Sequence, residues 1–205
     1  EIHPKELQKL LESVEGTSEE ALISRITLRS MKRAEYTPEC KGHFGLSAKY
    51  YCHFTSPIRR YPDLQIHRII KENIHGKLNE KYIRHYNTIL PDITKNCSIN
   101  ERRADDAERD TEKLKKVEYM RSYIGEEFEG VISSVTGWGM YVELPNTIEG
   151  MVHVSNMEDD HYIYDEPTYS LVGEHTKKTY KLGQSVKVRV VHTDKMTKTI
   201  DFVLA

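Results

Sequence analysis

Up to Ile124 the apolar positions recur at three- and four-residue intervals, and beyond Gly125 they alternate, so the chain reads as helices followed by strands. Pro4 opens an amphipathic stretch with Leu7, Leu10, Leu11 and Val14 on one face, and Gly16 suits the position just past its end. Thr17, with Glu20 three residues on, makes a capping-box pattern ahead of Leu22, Ile26 and Met31. Residues 35–55, broken by Pro38, Gly42 and Gly45, predict irregular backbone with short turns. Ser56-Pro57 reads as a capped helix start, with a tight bend near Tyr61 forced by Pro62. The helix then continues through Leu64, His67, Ile70 and Ile74 to Gly76. A short helix over 79–90 is expected to stop at Pro91. A long polar helix is expected from Asp92 to Ile124, with small or apolar residues at Ile93, Cys97, Ala104, Ala107, Leu114 and Val117.

After Gly125, five stretches have strand character: from Phe128 to Ile132, Trp138 to Leu144, Glu149 to Val154, Ser185 to His192 and Thr199 to Leu204. Short strands at this density, punctuated by glycines, fit a small closed barrel of the OB type. Between the third and fourth lies a polar, tyrosine-rich insert, 156–182. The expected fold is therefore α+β and multi-domain, a helical domain over 1–123 followed by a five-stranded OB-fold barrel over 124–205.

Composition narrows this little. Of 205 residues, 38% are hydrophobic and 30% charged, with a net charge of −2. That excludes a histone-like polycation but leaves room for a local basic groove. Cys40, Cys52 and Cys97 form no Cys-x-x-Cys pair and lack zinc spacing, which suits a reducing compartment. No apolar run reaches membrane-spanning length and EIHPKELQKL is not a signal peptide, so no membrane association and a cytoplasmic location are expected. The first residue is Glu rather than Met, and a piece of a longer protein is expected.

Two stretches carry chemistry. In the barrel, Phe128, Trp138, Tyr141 and His153 are the rings on which single-stranded bases would stack, each stacked base being worth about 1–3 kcal/mol. Parity puts Trp138 with Met140 and Tyr141 with Gly139 and Glu143, unless a bulge at a glycine intervenes. The competing reading is that these rings fill the barrel. In HFTSPIRRYPDLQIHR, Arg59 and Arg60 follow a helix start, with Asp63 next and His67 and Arg68 about two turns on. A helix N-terminus with two guanidiniums favours phosphate. The plainer alternatives are a solvated arginine pair and a hydrogen-bonded core histidine.

The stretch GEEFEGVISSVTGWGMYVELPNTIEGMVHVSNM resembles the S1 RNA-binding family, with Leu182-Gly183-Gln184 ahead of the fourth strand. The resemblance implies an OB-fold barrel binding single-stranded RNA through Trp138, Tyr141 and His153. HFTSPIRRYPDLQIHR resembles the end of the RNB catalytic domain in the ribonuclease II and ribonuclease R family. NERRADDAERD resembles that family's long helix before its S1 domain, and the ribonuclease R branch is the closer fit. The family implies processive 3′→5′ hydrolysis of single-stranded RNA to nucleoside 5′-monophosphates, with a Mg²⁺ pair activating water. Arg59 then falls at the phosphate-contacting position, Arg60 is a second candidate, and Glu101 or Glu108 is the acidic residue of the site.

The family's metal-binding aspartates have no counterpart in residues 1–50, so the Mg²⁺ ligands are expected outside this chain and the chain alone is expected to be inactive. Asp105, Asp106 and Asp110 are the nearest substitute, but Arg102, Arg103 and Arg109 interleave with them and predict a self-paired helix face instead. Two other readings stand beside the enzyme: a non-catalytic S1-type RNA-binding adaptor, and an interaction protein docking through the long helix. No protein partner is indicated by the sequence.

Overall fold

The computed structural model describes residues 4–17 and 20–205; the side chains of Ala21 and Leu22 lie outside that description. Four helices, α1 (Pro4–Val14), α2 (Glu20–Ser30), α3 (Tyr61–Ile74) and α4 (Glu80–Met120), precede eight strands. These are β1 (Glu127–Thr136), β2 (Gly139–Glu143), β3 (Glu149–His153), β4 (Tyr162–Asp165), β5 (Ser170–Gly173), β6 (Thr179–Lys181), β7 (Ser185–Asp194) and β8 (Thr199–Leu204). The chain divides into two compact units, one of Glu1–Glu15 with Ile26–Ala107, the other of Gly16–Arg25 with Glu108–Ala205. No helix among the described residues is long and apolar enough to cross a membrane.

In the helical unit, α1 starts at Pro4 and half-buries Leu7, Leu11 and Val14, as its spacing predicts, while Leu10 stays exposed. The capping box forms differently from the expected pattern. The Glu20 carboxylate accepts the N–H of Gly16 at 2.8 Å, and the buried stripe of α2 runs through Ile23 and Thr27 rather than Ile26. Leu22, expected on that stripe, falls outside the described side chains.

The entrance to α3 also departs from expectation. Ser56 does not begin a long helix: its carbonyl accepts the N–H of Arg60 at 2.9 Å to close one turn, and α3 opens afterwards at Tyr61. Pro62 sits in the first helical turn, where its missing N–H breaks no helical bond. What fixes this corner is Asp63, fully buried, whose Oδ2 accepts the Ser56 N–H at 2.8 Å and the Arg60 Nη2 at 2.8 Å. Burial pushes its carboxyl up, but the Ser56 amide and then the Arg60 guanidinium overcome that and hold it below the ordinary carboxylate range. The far end of α3 closes as expected at Gly76, with φ +66° and its N–H on the Asn73 carbonyl.

Pro91 does not stop a helix; it lies inside α4. An interior proline costs about 3 kcal/mol, and here the cost is offset by packing. Tyr86, Ile89, Leu90, Ile93 and Cys97 continue one half-buried stripe across the proline. α4 ends at Met120 in a 3₁₀ turn, Arg121–Tyr123, ahead of Gly125 with φ +93°.

In the other unit, β1, β2, β3, β8 and β7 close in that order into a barrel, the five strands read from alternation. Ile132, Met140, Val142, Val152, Val188, Val190, Ile200 and Phe202 fill it, and Val117 and Met120 from the end of α4 join the same core. Gly150 on β3 lies against the Phe202 ring, 2.5 Å from where a Cβ would stand, so any side chain there would displace the largest fully buried side chain. The insert is not a bare loop: β4, β5 and β6 form a three-stranded sheet that buries Tyr162, Leu171 and Tyr180. Its strands are three or four residues long, too short for alternation to stand out. Beneath it the Asp160 carboxylate accepts the Thr176 hydroxyl and amide, each at 2.6 Å, which hold it far below its ordinary range.

Replacing Phe202 with Ala is expected to cost about 3–5 kcal/mol in urea unfolding followed by circular dichroism. Asp63→Ala, which strands Arg60, should cost about 3 kcal/mol. Because the folded Asp63 pKa is depressed from 3.8, its contribution is present above that pH and is lost as the pH falls further. Acid titrations of stability should accordingly be shallower in Asp63→Asn than in the unaltered chain.

Candidate nucleic-acid interface

The two arginines of the turn have different surroundings. Arg60 is tied to Asp63 and its Nε is buried without a partner, so it braces the turn. Arg59 is exposed and makes no ion pair or side-chain hydrogen bond among the described residues. Its guanidinium is available to a ligand, and the turn beneath it is held by a buried carboxylate. His67 is neither a free ligand nor a core residue. Its ring stacks on Phe54 with centroids 4.2 Å apart, and Nε2 donates to the Phe54 carbonyl at 2.8 Å, pinning the preceding loop to α3. Arg68 bonds Gln65 at 3.2 Å and lies 5.9 Å from the Tyr61 ring centroid.

The same unit contains a network that the sequence reading missed. Tyr36 donates its hydroxyl to Glu101 Oε1 at 2.9 Å and accepts from His53 Nδ1 at 3.0 Å. Burial and then the bond to Glu101 raise the Tyr36 phenol to about 12, so it stays a donor. These residues line a cavity of about 370 Å³ with Ile66, Ile69, Leu90 and Ile93 on its apolar side. Tyr36 and His53 sit in irregular backbone, where no periodicity marks them, and meet Glu101 only through the fold. Glu108, the other acidic candidate, is exposed with no partner among the described residues.

The expected pairing of Arg102, Arg103 and Arg109 with Asp105, Asp106 and Asp110 does not form. Asp110 instead takes Lys198 at 2.6 Å, and the others make no ion pair among the described residues. The described residues contain no group of three or more His, Cys, Asp or Glu able to hold a metal ion, so they do not fit a Mg²⁺ site.

On the barrel, Trp138 stands just ahead of β2 and is 73% exposed, so it fills no core. Its carbonyl accepts the Val154 N–H at 3.0 Å, and Gly139 pairs with His153 across β2 and β3. A Cβ on Gly139 would overlap the Val152 carbonyl oxygen, which is why the aromatic is flanked by glycine here. Tyr141 faces outward between the buried Met140 and Val142. Because Trp138 precedes the strand, it escapes the parity that would set it beside Met140. His153 Nδ1 accepts the Ser155 N–H at 3.1 Å, so the neutral ring carries its proton on Nε2. Trp138, Tyr141 and His153 thus gather at one part of the surface. Phe128 does not join them: it turns inward with Gly130 and Ile132 and packs on the core, 6.0 Å from the Tyr123 ring. The cations of the barrel edge are paired, Lys187 and Arg189 with Glu127 and Lys195 with Glu118.

Comparison with known proteins agrees with both halves of this arrangement. Residues 1–76 match the RNB domain family and residues 123–204 the S1 RNA binding domain family. Ribonuclease R 1 of Lactococcus lactis is 47% identical over 201 residues, 98% of this chain and 25% of that protein. Ribonuclease R of Thermotoga maritima is 46% identical over 206 residues, 99% of this chain and 29% of its own length. The fold matches that of Mycoplasma genitalium RNase R, solved in its apo form and in complex with ribose methylated single-stranded RNA. The TM-score is 0.89 in each case at 24% identity, covering 100% of this chain and 32% of that one. The chain therefore spans between 25% and 29% of the length of these curated relatives. With an RNB portion, a long helix and an S1 barrel in that order, this chain is similar over nearly its whole length to one part of ribonuclease R.

Proposed function

We propose that this chain is the RNA-gripping part of a 3′→5′ exoribonuclease that hydrolyses single-stranded RNA to nucleoside 5′-monophosphates. The observation that carries the reading is the division of labour at the turn: Arg60 is engaged by Asp63, while Arg59 stands exposed on the same turn with no ion pair among the described residues. A guanidinium on such a turn can donate to two phosphate oxygens at once, and where negative charge grows during hydrolysis that contact strengthens. Glu101, oriented by Tyr36, is the acidic residue of the same unit. The divalent metal of such a reaction supplies the activation of water; the described residues do not form its site, and this chain alone is proposed to be inactive.

The barrel supplies the second grip. Trp138 and Tyr141 offer π-faces and His153 an Nε2–H donor, a combination that holds bases with little regard for sequence. The Mycoplasma genitalium enzyme, whose fold this chain shares, has been captured with single-stranded RNA, which supports RNA as the ligand here.

Trp138→Ala is expected to weaken single-stranded RNA binding by about 1–3 kcal/mol in a chain that still folds; unaltered affinity would assign the indole no part in the grip. In a full-length enzyme carrying these residues, Arg59→Ala should lower kcat more than it raises KM, the pattern of an interaction made mainly in the transition state. A change confined to KM would reduce Arg59 to positioning substrate.

A further inference from the structure

Strand register sets four side chains in one row across the barrel. Tyr141 on β2 lies opposite Met151 on β3, Met151 opposite Asp201 on β8, and Asp201 opposite His192 on β7. Tyr141, Met151 and Asp201 face outward, because their strand neighbours Met140, Val142, Val152, Ile200 and Phe202 are the buried core. Neighbouring strands are about 4.8 Å apart, so the Tyr141 and Asp201 backbones are roughly 10 Å apart across Met151. His153 stands two positions from Met151 on the same side of β3. A base lying over Met151, its π-face against Tyr141 or His153, has its edge at the Asp201 carboxylate.

That carboxylate has the wrong sign for phosphate and the right one for the N–H groups of a base edge. His192 Nδ1 lies 3.2 Å from Asp201 Oδ2, and since a carboxylate only accepts, the imidazole donates and holds the group in orientation. Oδ1 has no hydrogen-bond partner among the described residues. Two acceptor oxygens side by side match two parallel donors. Guanine presents that pair on its Watson–Crick edge, N1–H beside the N2 amino group. Uracil presents one N–H, and adenine and cytosine each a single exocyclic amino group.

We propose that Asp201, positioned by His192, reads this edge and gives the barrel a preference for guanine in single-stranded RNA. The inference rests on the reading of this surface as the RNA platform and adds a specificity element to it. Stacking by Trp138 and Tyr141 is indifferent to base identity; the carboxylate is the group in the row that distinguishes one base from another.

Fluorescence anisotropy of the full chain tests this with three RNAs of eight nucleotides: alternating guanosine and uridine, alternating inosine and uridine, and all uridine. Inosine keeps N1–H and lacks the N2 amino group. The guanosine RNA should bind about fivefold tighter than the inosine RNA, the lower end of what a bidentate base contact contributes. Asp201→Asn, an exposed and isosteric change, should bring that ratio close to one, because the amide turns a donor toward the base. His192→Ala should lower the ratio part of the way, and His192→Gln, which keeps a donor, should restore it. Equal affinity of the unaltered chain for the guanosine and inosine RNAs overturns the proposal, as does a ratio that survives in Asp201→Asn. Absence of binding to all three RNAs by the folded chain would remove the platform itself, an outcome distinct from binding without preference.

Discussion

Around a closed five-stranded barrel every second side chain must enter a core that has room for apolar groups alone. Met140, Val142, Val152, Ile200 and Phe202 take those places, and the alternation then has no choice about the rest. Tyr141, Met151 and Asp201 are turned out because their neighbours are turned in. The tight approach of Gly150 to the Phe202 ring sets how closely β3 and β8 can pair, and so how close Met151 and Asp201 come on the outer surface. Function on this surface is a by-product of packing beneath it: a face assembled from residues of several strands, each positioned by the buried residue next to it.

The helical unit uses a different device. Among its described residues Thr27, Asp63 and Gln65 are the buried ones, and Asp63 alone is wholly so. The corner before α3 is instead held by one buried carboxylate that ties the Ser56 amide to the Arg60 guanidinium. A buried charge pair is a poor source of stability, since removing both ions from water costs about as much as their attraction returns. It is a good source of geometry, because breaking it is expensive. The same arrangement explains why the surroundings of two adjacent arginines differ: Arg60 is engaged by Asp63, and Arg59 makes no ion pair among the described residues.

Much of this was legible in the chain. Alternation after Gly125 placed all five barrel strands, and glycines at 16, 76 and 125 marked the ends of helical segments, each with positive φ. What misled was punctuation read without its surroundings. Pro91 looks like a stop, yet the apolar stripe on either side keeps α4 whole. Ser56-Pro57 looks like the start of the helix, which opens instead at Tyr61. Interleaved charges on the long helix look self-paired, yet Asp110 finds Lys198, eighty-eight positions away. In each case a local rule competes with a partner distant in sequence, and the partner wins because packing outweighs a single propensity.

The sequence by itself determined the order of elements, the alternation that closes the barrel and the two motifs that the chain shares with its relatives, because period and motif are properties of neighbouring residues. Only the tertiary structure decided which arginine is paired with Asp63, that Phe128 turns inward while Trp138 stands out, and that Tyr36, His53 and Glu101 meet. Those outcomes depend on what lies across a strand pair or at the far end of a hydrogen bond, and a linear pattern carries no record of distances through space.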